Sequence, residues 1–316
     1  MPQAILDAEA RIRPYILETP LEFSPYLSAQ SGAEVWLKLE HLQRTGSFKL
    51  RGAANKLLSL SPEASQKGVV TASTGNHAAA FAYMVDQLGL KGTIYLPETA
   101  AQTKIDALKA YAVELAFHGT DGLETEMEAR RVAESSGRVF VSPYNDPFII
   151  AGQGTIGYEI HQQRPDLDSI IVPVGGGGLI SGIAGYLKES LPKLEVIGAQ
   201  PENSAVMYES VKAGKIVDLP YLPTLSDGTA GGMEADSLTF PLAQQYVDDY
   251  ILVSEDEIKA GLKLIMQQHY YLIEGAAALS VASVLKEKAR FAGKKVVLIL
   301  CGRKMGFDKL KEILST

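Results

Sequence analysis

Ser169-Ile170-Ile171-Val172-Pro173-Val174 runs directly into four consecutive glycines, Gly175 to Gly178, in the middle of this chain. The short apolar run is typical of a buried strand, and residues 179–187 have the spacing of a helix with a small-residue packing face. A strand, a glycine loop and a helix start together present bare backbone N–H groups at the positive end of a helix dipole. A tight turn is the alternative, but four glycines cost backbone entropy. The pattern therefore favours a phosphate site.

The glycine run differs from the two common nucleotide-binding loops. No Gly-x-x-x-x-Gly-Lys-Ser/Thr motif occurs in the chain, and the four glycines lack the spacing of a dinucleotide fingerprint. The run also lies mid-chain rather than in a first strand–helix–strand unit. These differences favour a single phosphate monoester over a pyrophosphate.

On both sides of this segment in the sequence, short runs rich in β-branched residues alternate with stretches whose apolar residues have helical spacing. Candidate strands cover 68–73, 92–96, 113–117, 138–142, 169–174, 195–199, 250–253 and 296–301. Candidate helices cover 76–88, 101–110, 121–136, 152–163 and 179–189. This alternation predicts an α/β fold with mainly parallel, buried sheets. One group of strand–helix units lies within 50–146 and another from 152 onward without a linker, so we expect two sheets that share one cleft.

The composition excludes several classes of protein. The chain has 316 residues, of which 46% are hydrophobic, and a formal net charge of −7, which argues against a nucleic-acid partner. No apolar stretch reaches the roughly 18–20 residues that span a bilayer, and the N-terminus lacks an apolar signal core. With Cys301 as the sole cysteine, no intrachain disulfide is possible. We expect a cytoplasmic protein without a membrane partner.

A second loop between a predicted strand and a predicted helix reads Ser73-Thr74-Gly75-Asn76-His77. Its backbone amides, hydroxyls and side-chain amide suit a carboxylate or a ring oxygen. Ser and Asn are also good helix N-caps, so composition alone leaves a purely structural cap equally open.

The segment Thr45-Gly46-Ser47-Phe48-Lys49-Leu50-Arg51-Gly52-Ala53 makes the pattern more specific. Taken in order with 73–77, 175–178 and Cys301-Gly302, it resembles the serine/threonine dehydratase group of fold-type II pyridoxal-phosphate (PLP) enzymes, which includes serine racemase. The resemblance extends to 151–155, 226–228 and Glu274-Gly275-Ala276. It implies two open, twisted, mainly parallel sheets flanked by helices, with PLP in the cleft. It also implies a large domain of 1–49 and 147–316 and a small domain of 50–146.

Carried over position by position, the resemblance implies a cofactor site. Lys49 would form the Schiff base with PLP, Phe48 would pack on one face of the pyridine ring, and Asn76 would hydrogen-bond the ring 3′-oxygen. Gly175, Gly176, Gly177 and Gly178 would bind the phosphate, and Cys301 would face the pyridine nitrogen. The alternatives are a surface lysine, a core phenylalanine and a buried small apolar cysteine.

The resemblance also implies a substrate site. Ser73, Thr74, Gly75 and His77 would hold the substrate carboxylate, with Lys49 and Thr74 as the catalytic candidates. Pro143, Tyr144, Asn145 and residues 227–233 are expected to select the substrate side chain.

The implied activity is the removal of water and then ammonia from a β-hydroxy amino acid such as L-threonine or L-serine. A racemase, a dehydratase for another substrate such as 3-hydroxyaspartate, a β-replacement synthase and a PLP-binding relative with a degraded site stay as alternatives. Thr74 stands where serine racemase has a serine that is proposed as a base. A threonine is bulkier and rotationally restricted, so we rank racemisation below dehydration.

Two positions depart from the family pattern. Gln200 stands where a racemase-like cation site has a glutamate, so we predict no metal ligands, because a neutral amide binds Ca²⁺ or Mg²⁺ weakly. Arg303 and Lys304 follow Cys301-Gly302 where relatives usually have a second glycine and an asparagine. Their side chains could line the rim of the cofactor site or be solvated, and we expect both to be solvated. By resemblance we also expect a homodimer without a C-terminal regulatory domain.

Overall fold

The computed structural model describes residues 1–220 and 222–315, and its strands form two separate sheets. The strands are β1 Leu21–Phe23, β2 Glu34–Lys38, β3 Val69–Ala72, β4 Gly92–Leu96, β5 Glu114–Phe117, β6 Val139–Phe140, β7 Ser169–Pro173, β8 Glu195–Pro201, β9 Asp249–Val253 and β10 Lys295–Ile299. The six-stranded sheet has the order β1-β2-β10-β7-β8-β9, and the four-stranded sheet has the order β5-β4-β3-β6. Only β1, which pairs with β2, runs antiparallel to its neighbour within the described sheets.

Helices connect these strands and cover both sheets. They are α1 Pro2–Ile12, α2 Pro25–Ser31, α3 Lys49–Leu58, α4 Pro62–Lys67, α5 Asn76–Leu88, α6 Gln102–Leu108, α7 Gly122–Ser136, α8 Pro147–Gln163, α9 Gly178–Ser190, α10 Val206–Ala213, α11 Thr239–Tyr246, α12 Glu255–His269, α13 Gly275–Lys286, α14 Lys288–Phe291 and α15 Phe307–Ser315. In the described ranges, no helix is long and apolar enough to cross a membrane. The predicted α/β fold with two mainly parallel sheets is confirmed.

All eight predicted strands are present, and two further strands were not predicted. β1 has three residues, too few to show a pattern, and β2 ends in Lys38, a charged residue that is nevertheless fully buried. The helix predicted to start at 152 begins five residues earlier, at Pro147. Asp146 caps it by accepting the Phe148 N–H at 2.8 Å, and proline suits the first helical position. The four strands of the smaller sheet lie between Val69 and Phe140, while the predicted domain boundaries themselves stay a prediction.

Helices α3, α8 and α9 pack backbone against backbone through glycines. A methyl group built on Gly152 would lie 2.5 Å from the carbonyl oxygen of Arg51, and one on Gly182 would collide with the carbonyl of Ile150. Side chains at these positions would force the helices apart. The small-residue face predicted for residues 179–187 is therefore the contact that brings α9 and the glycine loop before it against α8.

A buried cluster of charges lies beside the first turn of α3. Arg51 donates to both carboxylate oxygens of Glu40, at 2.8 and 2.7 Å, and to both oxygens of Glu159, at 2.8 Å each. Lys38 Nζ lies 2.6 Å from a Glu159 oxygen, and the side chains of all four residues are at most 1% exposed. The cluster joins β2, the following loop, α3 and α8, and thereby fixes the start of α3.

We predict that Arg51→Met strongly destabilises the fold. It leaves Glu40 and Glu159 buried without their main cation, and breaking a buried pair in this way costs about 3–5 kcal/mol. The urea concentration at the midpoint of unfolding, followed by circular dichroism, is expected to fall in proportion to this loss of unfolding free energy. Arg131→Met is the control, because Arg131 pairs with Glu128 on an exposed face of α7, and its midpoint should stay unchanged. Equal midpoints for both variants would show that the cluster does not constrain the fold.

Candidate active site

The glycine loop follows β7 and leads directly into α9. A methyl group on Gly175 would lie 2.9 Å from the Cα of Thr229, and one on Gly176 would lie 2.6 Å from ring carbons of Tyr144. Gly177 has φ = +84°, a conformation that favours glycine, and it is the N-cap of α9. No side chain fits between this loop and its neighbours, so the loop can offer a ligand only backbone N–H groups at a helix N-terminus.

Tyr144 forms one wall of this loop. Its hydroxyl accepts the Glu234 N–H at 2.8 Å, and the neighbouring Asn145 donates from Nδ2 to Glu234 Oε2 at 3.0 Å. Tyr144 is one of the residues predicted to select the side chain of the substrate. In the structure its ring lies against Gly176, so Tyr144 also shapes the predicted phosphate site.

Lys49 is the first residue of α3, and it is half-buried. Nζ donates to the carbonyl oxygen of Pro143 at 2.8 Å and lies 5.2 Å from the ring centroid of Phe48. Burial lowers the pKa of Lys49 to about 8. A lysine with this pKa carries a substantial neutral fraction near neutral pH, which a nucleophile or a base requires.

Pro143 and Tyr144 connect the lysine to the glycine loop. Pro143 accepts the hydrogen bond of Lys49, while the next residue, Tyr144, covers Gly176. Because consecutive Cα atoms are about 3.8 Å apart, the amine and the loop contact adjacent residues of one wall. The structure therefore brings Lys49 and the four glycines into one cleft.

Cys301 follows β10 and the glycine loop follows β7. Because these neighbouring strands are parallel, both segments lie at the same edge of the larger sheet, where the strands end. Its carbonyl oxygen accepts the Phe48 N–H at 3.1 Å, and its side chain is 2% exposed. Burial raises the pKa of the Cys301 thiol well above its usual range. The thiol is therefore neutral at physiological pH.

The loop after β3 brings the smaller sheet to the site. Residues Ser73 to Asn76 are half-buried, the Gly75 N–H donates to Ser73 Oγ at 3.2 Å, and α5 begins at Asn76. Asn76 Nδ2 lies 2.9 Å from each carboxylate oxygen of Glu274. Asn76 Oδ1 is buried and has no hydrogen-bond partner among the described residues.

His77 takes a different position from the one that its predicted role suggests. Its Nε2 lies 3.0 Å from Thr71 Oγ1 and 3.1 Å from the Val141 carbonyl oxygen, within the smaller sheet. Burial, with the nearby Lys49 charge, lowers the pKa of His77 to about 3, so the ring is neutral. With Nε2 engaged in the sheet, we limit the predicted carboxylate contact of His77 to its backbone N–H in the first turn of α5.

Glu274 is a site residue to which the sequence analysis gave no role. It is the N-cap residue of α13 and 7% exposed. Beyond Asn76, it accepts the Lys304 N–H at 3.1 Å, and Oε1 lies 3.9 Å from Cys301 Sγ. Its only sequence signal was the Glu-Gly-Ala motif, because burial of a single carboxylate leaves no pattern in the sequence.

The two departures from the family pattern lie at the edge of this site or outside it. The side chains of Arg303 and Lys304 are exposed, although the Lys304 N–H reaches Glu274. Gln200 Oε1 accepts the Tyr208 N–H at 2.8 Å. Residues 1–220 and 222–315 contain no group of three or more His, Cys, Asp or Glu side chains that could hold a metal ion.

The residues fit a cofactor with one phosphate, an aldehyde and an aromatic ring. The glycine loop supplies N–H groups for the phosphate, Lys49 supplies an amine of lowered pKa for the aldehyde, and the Phe48 ring lies beside that amine. The Asn76 amide, whose buried Oδ1 has no partner among the described residues, is a further polar group that a ligand can engage, because buried polar atoms are normally paired. The loop, the amine and the ring match the phosphate, the aldehyde and the pyridine ring of PLP.

Comparison with proteins of known sequence agrees with this fit. Residues 12–302 match the family described as pyridoxal-phosphate dependent enzymes. The chain is 40% identical over 311 residues to an L-threonine ammonia-lyase of Thermotoga maritima, which covers 98% of this chain and 77% of that protein. It is 39% identical over 311 residues to the L-threonine dehydratase catabolic TdcB of Escherichia coli K12, with 98% and 94% covered.

Solved structures show the same fold. Threonine deaminase isoform 2 of Solanum lycopersicum superposes with a TM-score of 0.94 at 35% identity, covering 99% of this chain and 92% of that one. Maize serine racemase superposes with a TM-score of 0.93 at 33% identity, covering 99% and 96%. With a lysine of lowered pKa, a glycine loop and a matching sequence over residues 12–302, this chain belongs to the family of pyridoxal-phosphate dependent enzymes.

Proposed function

We propose that this chain is a PLP-dependent ammonia-lyase that converts L-threonine or L-serine to a 2-oxo acid and ammonia. The observation that carries the proposal is an amine at Lys49, with its pKa lowered to about 8, in one cleft with the glycine loop and a neutral thiol at Cys301. Relatives named as L-threonine ammonia-lyase and L-threonine dehydratase, at 40% and 39% identity, support the same activity.

In this proposal the chain holds PLP at four points. The N–H groups of Gly175 to Gly178 would bind the phosphate, Lys49 would bind the aldehyde, Phe48 would cover one ring face, and Cys301 would lie toward the ring nitrogen. When bound, PLP supplies the electron sink for the negative charge that develops at the substrate α-carbon. The backbone loop binds an anion without a competing side chain and adds the dipole of α9.

Lys49 has two roles in the proposed reaction. Once the substrate amine has displaced it, its own amine is free to take the α-proton. Burial favours the neutral form that can accept this proton. The Pro143 carbonyl accepts a hydrogen bond from Nζ and so limits where the amine can lie.

Cys301 directs the outcome of proton removal. A neutral thiol would not protonate the ring nitrogen of bound PLP, so PLP would hold the negative charge only briefly. The β-hydroxyl would leave as water, and the proton that this requires balances the α-proton taken by Lys49. Hydrolysis of the resulting enamine would consume one water and release ammonia. L-Threonine then gives 2-oxobutanoate and L-serine gives pyruvate. The loop of Ser73, Thr74 and Gly75 with the first N–H groups of α5 is suited to hold the substrate carboxylate.

The first prediction is a substrate profile. L-Threonine and L-serine are expected to yield oxo acid and ammonia, measured by coupled assays, and Lys49→Ala should lose this activity because its amine is the proposed base. D-Serine and 3-hydroxyaspartate complete the panel, since a racemase and a hydroxyaspartate lyase are the alternatives. Accumulation of D-serine from L-serine faster than pyruvate would contradict the proposal.

The second prediction concerns pH. A neutral amine captures an aldehyde and an ammonium group does not, so PLP capture by the apoprotein should rise through about pH 8, the pKa of Lys49, and level off above it. Borohydride-trapped adduct at Lys49, counted by peptide mass spectrometry at a fixed early time, measures this step. A rise centred two pH units or more away would contradict the lowered pKa.

The third prediction concerns the glycine loop. Gly176→Ala puts a methyl group against the Tyr144 ring, so the loop must shift and its N–H groups lose their alignment. We expect faster loss of PLP on dialysis, by about tenfold or more, which corresponds to about 1.4 kcal/mol. Gly122→Ala on α7 is the matched control, because a methyl group there meets open space. Equal PLP retention in both variants would argue against phosphate binding at this loop.

A further inference from the structure

The contact between Glu274 and Asn76 has no part in the proposed reaction. Glu274 lies at the start of α13 and Asn76 at the start of α5, so the contact spans the two sheets. Asn76 Nδ2 lies 2.9 Å from both carboxylate oxygens. The amide thus directs its donor at Glu274, while its acceptor Oδ1 is buried without a partner among the described residues.

This arrangement conflicts with the role proposed for Asn76. An ionised 3′-oxygen of PLP is a hydrogen-bond acceptor and needs a donor. An ionised Glu274 is also an acceptor, and Oδ1 is a third one. A buried acceptor that stays unpaired costs about 1–3 kcal/mol, so the ionised form of Glu274 leaves one group unsatisfied whichever way the amide is turned.

A single proton on Glu274 removes the conflict. The protonated carboxyl donates its O–H to Asn76 Oδ1, and the amide, rotated by half a turn without change of shape, directs Nδ2 at the cofactor oxygen. The second carboxyl oxygen keeps the Lys304 N–H, which lies 3.1 Å away. Every polar atom of the pair then has a partner.

The surroundings of Glu274 are compatible with a held proton. Burial raises the pKa of Glu274, while Asn76, the Lys304 N–H and the charges of Lys49 and Lys304 oppose that rise. The facing thiol of Cys301 is neutral because of its own raised pKa. Asp227 lines the same small cavity, but its carboxylate pairs with Lys309 Nζ at 2.5 Å.

We propose that Glu274 is a positioning residue that holds one proton and thereby turns the NH₂ group of Asn76 toward the 3′-oxygen of the cofactor. The inference rests on the proposed function, since it assumes that Asn76 reaches that oxygen. It predicts that binding of a ligand with this oxygen is coupled to proton uptake by Glu274.

The test uses 4′-deoxypyridoxine 5′-phosphate, which has the ring oxygen and the phosphate but no aldehyde for Lys49. Calorimetric titration of the apoprotein in buffers of different ionisation enthalpy, from about pH 5 to about pH 9, gives the protons taken up on binding. Glu274→Gln supplies an NH₂ donor to Oδ1 but does not titrate. Wild type should take up more protons than this variant, by up to about one proton.

The affinities should follow the same linkage. In the complex, Glu274 is half-protonated at a higher pH than in the apoprotein. The wild-type affinity for the probe is therefore high at low pH and falls once the pH exceeds the value at which Glu274 of the apoprotein is half-protonated. Relative to Glu274→Gln, the fall is up to about tenfold per pH unit. Phosphate and Lys49 titrate in both proteins, so their contributions cancel in the ratio.

Two further variants make the result decisive. Asn76→Ala keeps the carboxyl but removes its acceptor, so its proton uptake should drop to that of Glu274→Gln. Lys309→Met removes a charge from the same cavity without touching Asn76 and should keep wild-type uptake. Equal uptake in wild type, Glu274→Gln and Asn76→Ala at every pH would overturn the inference while the site stands. Failure of the probe to bind wild type would overturn the proposed site as well.

Discussion

The ion pairs that Arg51 forms with Glu40 and Glu159 constrain the rest of this structure. Charges removed from water must keep nearly all their partners, so this cluster holds β2, α3 and α8 in one arrangement. Lys49 lies two residues before Arg51 at the start of α3. The same cluster that stabilises the fold therefore also sets where the reactive amine can lie.

The cleft is built from strand ends and close backbone contacts. Parallel strands deliver their carboxyl ends to one edge of a sheet, which places the glycine loop after β7 and Cys301 after β10 near each other. Glycines at the α3–α8–α9 contacts allow the helices to approach without side chains between them. Pro143 and Tyr144 then close the space between the lysine and the glycine loop. Groups carried by both sheets therefore lie in one cleft.

Burial gives the site its chemical character. It lowers the pKa of Lys49 and of His77 and raises the pKa of Cys301, so three titratable groups are shifted toward their neutral forms. In the proposed site the backbone N–H groups and the α9 dipole would stabilise the charge of the PLP phosphate. A base whose neutral form is accessible could take the α-proton, and a neutral thiol would not protonate the ring nitrogen, which suits elimination. Glu274 is a further acid in this environment, and its contact with Asn76 makes the charge of its carboxyl group important for how the amide is oriented.

The sequence by itself determined the α/β class, eight strands, the glycine loop and the order of the motifs, because these depend on local periodicity and on backbone chemistry. Tertiary structure alone decided the rest. β2 was missed because Lys38 looks like a surface residue until Glu159, far along the chain, pairs with it. The engagement of His77 with Thr71 and the approach of Glu274 to Asn76 depend on partners that are distant in sequence or on another element. Local sequence specifies which groups a segment carries, whereas burial and pairing, which set their charge, arise only when distant segments pack together.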